Sequence, residues 1–236
     1  MNENNFKQIA NKIILSGLLP GEIAEKLNIK PAFRARQIFK NIQNGIFSFD
    51  QMTDLPEAMR SELGERSAVI SSDIEEEYKG DDDSVKFRIR LEDGFAIEAV
   101  LLTDRGGRRT LCLSTQAGCA MGCAFCRTAL MGLKRNLTAY EITEQYFLVK
   151  ERYGNIDNFV FMGMGEPLQN LENVRTAVNY LHLEKGQNIS LRRFTLSTCG
   201  ILQGLRALAE EGPWLRLAFS LVTADPEMRR KLMPSG

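Results

Sequence analysis

The chain holds 236 residues, 44% of them apolar and 25% charged, which suits one large domain or a domain with an appendage and excludes a disordered or coiled-coil chain. Thirty basic side chains balance thirty acidic ones, so no global field advertises nucleic acid, and any RNA surface has to be a local patch. No run approaches the ~18 apolar residues of a membrane span, and the first twelve residues lack a signal peptide's apolar core, so no membrane association and a cytoplasmic location are expected.

Residues 6–66 read as short helices joined by polar turns. Pro31 opens one that offers Phe33, Ile38 and Phe39 to a core and Arg34, Arg36 and Lys40 to solvent; Pro56 opens another containing Met59 and Leu63. From residue 68 to 102 the period drops to two. Val85, Phe87, Ile89 and Leu91 alternate with Lys86, Arg88 and Arg90, and Glu92, Asp93 and Gly94 then turn the chain back into a second strand, which makes a hairpin. The acidic run Glu75, Glu76, Glu77, Asp81, Asp82 and Asp83 reads as a solvated turn.

Beyond Thr110, strand-like runs at 111–114, 159–162, 194–197 and 215–221 alternate with helical ones, the pattern of parallel strands joined by crossover helices. Thr138 and Glu141 form a capping box ahead of the stripe Ile142, Tyr146, Val149 and Tyr153. Asn170 precedes a second helix, with His182 flanking its apolar stripe, and a third runs from Ile201 through Leu208 to Gly212 and Pro213. The expected class is α/β: a small helical domain over 1–66, a β-hairpin extension over 67–104, and a core of about four βα units over 105–236. The unusual motifs all follow strands. In parallel α/β folds the strand carboxyl ends form the binding face, so these motifs should converge on one site.

A single histidine excludes a multi-histidine metal site, and no GxSxG, HExxH or P-loop pattern occurs. Residues 163–168, GMGEPL, fail the dinucleotide GxGxxG pattern at its last position. Five cysteines remain, an odd number and a poor disulfide framework in a reducing compartment. Cys119, Cys123 and Cys126 are spaced CxxxCxxC in the small-residue loop GCAMGCAFCR at 118–127, which lets backbone amides approach the sulfurs. Three thiolates are one short of a full ligand set for a four-iron cluster and would leave one iron open. Zinc is the rival occupant, but it wants a fourth cysteine or histidine that the loop does not supply.

CxxxCxxC with Phe125 before the last cysteine resembles the signature of radical S-adenosylmethionine enzymes. The segments LCLSTQAGC at 111–119, FCRTA at 125–129, KRNL at 134–137, FMGMGEPL at 161–168 and RRFTLST at 192–198 narrow the match. So do FRARQI at 33–38, FDQMTD at 49–54 and RRKLMP at 229–234, and the whole is similar to the RlmN/Cfr family of RNA adenosine methyltransferases.

The resemblance implies a partial radical SAM (β/α) barrel, a 4Fe-4S cluster on Cys119, Cys123 and Cys126, and S-adenosylmethionine on the open iron, cleaved there to a 5′-deoxyadenosyl radical. The implied reaction is methylation of an adenine, at C2 in preference to C8, in 23S rRNA and also in tRNA, by a monomer served by an electron donor such as flavodoxin or ferredoxin. Gly165, Glu166, Ser197, Ser220, Leu221 and Val222 correspond to cofactor-binding positions, although Val222 stands where the family usually has histidine. Glu98 matches the carboxylate that removes the adenine proton, with an exposed strand glutamate as the plain alternative. Cys112 matches the cysteine that releases the product by forming a disulfide with a methyl-carrying cysteine, or else it is a buried small hydrophobe. Cys199, where serine is expected, is read as inert. The basic groups Arg34, Arg36 and Lys40; Arg105, Arg108 and Arg109; Arg127, Lys134 and Arg135; and Arg192 with Arg193 are candidate phosphate contacts.

The family's methyl-carrying cysteine and two more strands would lie beyond residue 236, so the sequence is expected to be the amino-terminal two thirds of such a protein. The alternative is an iron-sulfur, RNA-binding remnant without methyl transfer.

Overall fold

The computed structural model describes Ile9 and residues 11–235; the expected start of the helical module at Phe6 lies outside the described residues. Short strands β1 (Ile13–Ile14) and β2 (Ser67–Ala68) pair in parallel around helices α1 (Pro20–Lys26), α2 (Phe33–Gln43) and α3 (Glu57–Arg66). Helix α1 begins on proline, whose missing N–H costs nothing at that position. Helix α2 buries Ala35, Ile38, Phe39 and Ile42 at helical spacing. Phe33, expected to face inward, falls off that stripe; it is 43% exposed, with the Arg34 guanidinium 4.7 Å from its ring centre.

Strands β3 (Asp73–Lys79), β4 (Val85–Arg90), β5 (Ala96–Thr103) and β6 (Arg109–Cys112) each run antiparallel to the next. The expected hairpin is β4 with β5, and Val85, Phe87 and Ile89 are its buried face. The acidic run divides. Asp81, Asp82 and Asp83 lie in the turn, whereas Glu75, Glu76 and Glu77 belong to β3, opposed by Arg88 and Arg152. Cross-strand cations make glutamates tolerable there.

After β6 the topology changes. Strands β9 (Asn158–Phe161), β10 (Phe194–Thr198) and β11 (Arg216–Phe219) extend the sheet in parallel, giving seven strands in the order β11-β10-β9-β6-β5-β4-β3. Parallel neighbours need crossovers, and α4 (Ala139–Tyr153), α5 (Leu171–His182) and α6 (Leu202–Glu211) carry them. The capping box of α4 is formed: Glu141 N–H donates to Thr138 Oγ1 at 3.3 Å, and Thr138 N–H donates to Glu141 Oε2 at 2.8 Å. His182 ends α5 and is exposed, its Nδ1 at 2.8 Å from the Ile189 carbonyl.

The core includes Phe159 stacked on Phe194 at 4.9 Å, with Tyr146 edge-on to Phe159 and Tyr180 edge-on to Phe147. Each such side chain, fully buried, stabilises by about 1.5–3 kcal/mol. Among the described residues the sheet runs from β3 to β11 without closing into a barrel. Among the described residues no helix is long and apolar enough to cross a membrane.

Polar ties bind the helical module to the core. The buried Glu144 of α4 accepts from Ser16 Oγ at 2.5 Å, from Ser71 and Ser72 N–H at 2.9 Å each, and from Ser72 Oγ at 2.5 Å. Gln43 Nε2 donates to Tyr180 Oη at 2.7 Å. These ties fix where α2 sits relative to the sheet.

Candidate active site

The loop after β6 is pinched at its base by a two-stranded ladder, β7 (Gln116–Ala117) with β8 (Arg135–Asn136), reinforced by Lys134 N–H to the Ala117 carbonyl at 2.8 Å. Within it, Gly118 sits at φ +79 with the position of a β-carbon only 1.8 Å from the Gly132 carbonyl oxygen, so no larger residue fits. That close approach folds the cysteine triplet back over the strand ends. Cys126 N–H bonds the Cys123 carbonyl at 3.0 Å.

The carboxyl ends of β9, β10 and β11 complete the wall. Gly165, at φ +103 and packed against Gln116, delivers Glu166 into the interior. Glu166 is 4% exposed; its N–H donates to Gln116 Oε1 at 2.9 Å, while its carboxylate accepts from Leu168 N–H at 3.1 Å and Cys199 N–H at 2.9 Å. Two strand ends therefore fix one carboxylate. Ser197 Oγ and Ser220 Oγ lie 3.2 Å apart. Val222 has φ +63, an unusual state for a β-branched residue and one that costs about 1–3 kcal/mol.

These parts enclose a cavity of about 360 Å³ lined by Cys119, Cys123, Cys126, Gly165, Glu166, Ser197, Ser220 and Val222 among others. Its lining carries four thiols and one carboxylate but no lysine, arginine or histidine. Burial pushes the Cys119 and Cys123 thiols up, and neighbouring anionic groups add to it: Cys126 and Glu166 for Cys119, Cys119 and Cys126 for Cys123. A cationic occupant would counter both effects and favour the thiolates. Among the described residues no three His, Cys, Asp or Glu side chains converge on a point suited to a single metal ion. Cys119, Cys123 and Cys126 line the one cavity together, and three thiolates without a histidine suit a cluster with one open iron.

Leu221 is 51% exposed and does not line this cavity. Glu98 lines a second, adjoining cavity of about 630 Å³ together with Phe95, Gly118, Arg127, Lys134 and Met164; Thr128 borders both. The Glu98 carboxylate pairs with Lys86 at 3.1 Å, and its backbone N–H lies 3.3 Å from Met164 Sδ. Cys112 lines neither cavity; burial pushes its thiol up to about 11, partly offset by the Met162 N–H. All five cysteines are free, so the structure does not support a disulfide within the chain.

The basic groups separate by position. Arg109 begins β6, and Arg192 and Arg193 precede β10, so these lie at the amino ends of the strands, opposite the site. Arg108 pairs with Asp104, and Arg135 is held by Asp93 and Glu141. Arg34 bonds Gln37 and the Asp54 carbonyl. Arg127 and Lys134 are the members of those groups that reach the second cavity.

Sequence reasoning missed four contributors. Cys199, read as inert, lines the first cavity with its Sγ 3.3 Å from Met121 Sδ, and burial followed by the Glu166 charge pushes its thiol up to about 12. Met121 and Met233 pack beside it, and Gln116 holds the Glu166 backbone. Apolar and amide side chains carry no motif, although the quoted RRKLMP segment contains Met233.

Comparison with known proteins gives two family-model matches: Radical SAM superfamily over residues 113–236, and Ribosomal RNA large subunit methyltransferase N-terminal domain over 22–69. A probable dual-specificity RNA methyltransferase RlmN of Treponema denticola is 48% identical over 223 residues, covering 94% of this chain and 64% of that protein. A dual-specificity RNA methyltransferase RlmN of Desulfotalea psychrophila is 43% identical, covering 90% and 61%. The crystal structure of a radical SAM methyltransferase from Sphaerobacter thermophilus superimposes with TM-score 0.88 at 39% identity, covering 94% of this chain and 67% of that one. The chain thus spans somewhat under two thirds of the length of the curated relatives.

Proposed function

The chain belongs to the radical SAM superfamily, and from that premise we propose that it is the cofactor-binding part of an RNA adenine methyltransferase. The observation that carries this is the 360 Å³ cavity, where Cys119, Cys123, Cys126 and Glu166 meet without a basic side chain. Such a lining calls for a cationic occupant. The three cysteines would hold a 4Fe-4S cluster, Glu166 would accept hydrogen bonds from the methionine ammonium of S-adenosylmethionine, and Ser197 with Ser220 would contact the rest of that cofactor. When bound, these groups would supply one-electron chemistry at the cavity.

The adjoining 630 Å³ cavity takes the adenine. Arg127 and Lys134 favour a phosphate at its mouth, Phe95 offers an apolar face, and Glu98 is the proton acceptor on its wall. C2 methylation of 23S rRNA and tRNA, with flavodoxin or ferredoxin as the electron donor, completes the reading; the likeness to dual-specificity RNA methyltransferases and to a ribosomal RNA methyltransferase domain supports RNA as the substrate class. Cys112, half-buried at the end of β6, is the thiol proposed for product release.

The test is anaerobic reconstitution with iron and sulfide, followed by assay for methionine formation from S-adenosylmethionine under a strong reductant. Cofactor cleavage by the unsubstituted chain that is lost in Cys123→Ala supports the reading. Cofactor cleavage that survives Cys123→Ala contradicts it.

A further inference from the structure

Resting on that functional reading, the geometry points to Arg229 as the positioning residue of the cofactor wall. Arg229 lies on α7 (Pro226–Leu232), just past the strand end that bears Ser220 and Val222. Its Nη2 donates to the Cys199 carbonyl at 2.7 Å and approaches the Ser220 carbonyl at 3.5 Å, and its Nε reaches the Leu221 carbonyl at 3.3 Å. The guanidinium also stands 5.3 Å from the Phe219 ring centre. One side chain thereby ties the end of β10 to the end of β11.

The wall needs such a tie. Among the described residues β11 pairs with β10, and its carboxyl end carries Ser220 on the cavity wall. The backbone past β11 turns through the left-handed state of Val222, which persists only where the surroundings over-determine it. Ser220 N–H to the Thr198 carbonyl at 2.9 Å and the Ser197–Ser220 contact hold one residue of the segment. Arg229 holds the carbonyls of Ser220 and Leu221. Helix α7 is itself anchored on the cysteine loop, through Ala124 N–H to the Leu232 carbonyl at 2.9 Å and through Met233, which is 3% exposed and packs in the same apolar cluster as Cys119 and Cys199. Arg229 thus couples the loop that carries the thiols to the wall that faces the rest of the cofactor. It does not line the cavity, so its effect is on shape and not on contact.

Arg229→Ala and Arg229→Lys in the full chain, reconstituted anaerobically, test this with three readouts: iron and sulfide content, the S-adenosylmethionine dissociation constant by equilibrium dialysis, and hydrogen–deuterium exchange across 216–224. The expected result for the alanine variant is unchanged metal content, a dissociation constant raised about tenfold and faster exchange confined to 220–223. Methylguanidinium added to it should restore much of the affinity. Lysine, a point charge unable to span three carbonyls, should fall between. Wild-type affinity in the alanine variant overturns the inference, and so does lost affinity accompanied by lost metal or by faster exchange throughout the chain. If the unsubstituted chain binds no S-adenosylmethionine, the functional reading fails first.

Discussion

Raising the pH is expected to weaken the fold at Glu144 in particular. Burial drives its carboxyl up from 4.5, and the hydroxyl and N–H donors of Ser16, Ser71 and Ser72 pull it back only to about 7. A group whose pKa is higher folded than unfolded binds its proton more tightly in the folded state. Its contribution is therefore whole below pH 4.5 and is lost as the pH climbs through about 7. At ~1.36 kcal/mol per pH unit the loss is roughly 3 kcal/mol, a large fraction of a typical stability of ~5–15 kcal/mol. Glu144→Gln isolates the effect, because glutamine mimics the protonated acid and does not titrate. The amide has one acceptor where two backbone N–H groups arrive on different oxygens, so the variant starts about 1–3 kcal/mol less stable in acid. Urea denaturation of both proteins at about pH 5 and pH 8 should show that deficit shrinking or reversing by roughly 3 kcal/mol. A deficit constant to within about 0.5 kcal/mol would show that the donors fully offset the burial and would refute the reasoning.

Gly118→Ala should prevent the cysteine loop from closing, since left-handed backbone costs ~1–2 kcal/mol for an L-residue before the 1.8 Å approach to the Gly132 carbonyl is counted; iron bound per chain after reconstitution, expected to fall severalfold, checks this. Arg135→Ala strands Glu141, which is 3% exposed and bonded at 2.8 Å and 2.7 Å, and should cost roughly 2 kcal/mol after allowance for the partial exposure of the arginine, read as a drop in Tm. Cys112, its thiol pushed up to about 11, should resist alkylation near pH 8 and react faster as the pH approaches that value; peptide mapping that finds it the first cysteine modified would contradict its placement.

The parallel half of the fold was legible because each of its strands is a short apolar run followed by a helix with a readable start or stop, such as the Thr138 and Glu141 box or Gly212 with Pro213. Glu75, Glu76 and Glu77 misled because local composition says turn, whereas the arginines that hold them in a strand come from β4 and α4. The site was legible where spacing carries chemistry, as in the cysteine triplet. Leu221 is 51% exposed and outside the cavity lining although Ser220 and Val222 line it, because successive residues need not face the same way. Cys112 pairs with Val100 and Val160 at the end of β6, long-range partners that one sequence does not reveal. Arg229 was invisible as a positioning group because its partners are backbone carbonyls, which carry no residue identity.

The most direct measurement is Mössbauer spectroscopy with chemical analysis of the anaerobically reconstituted chain, with and without S-adenosylmethionine. The account predicts about four iron and four sulfide per chain, with one iron site shifting when the cofactor is added, and loss of that signal in Cys123→Ala. Stoichiometric zinc without sulfide, or four equivalent irons indifferent to the cofactor, would contradict it.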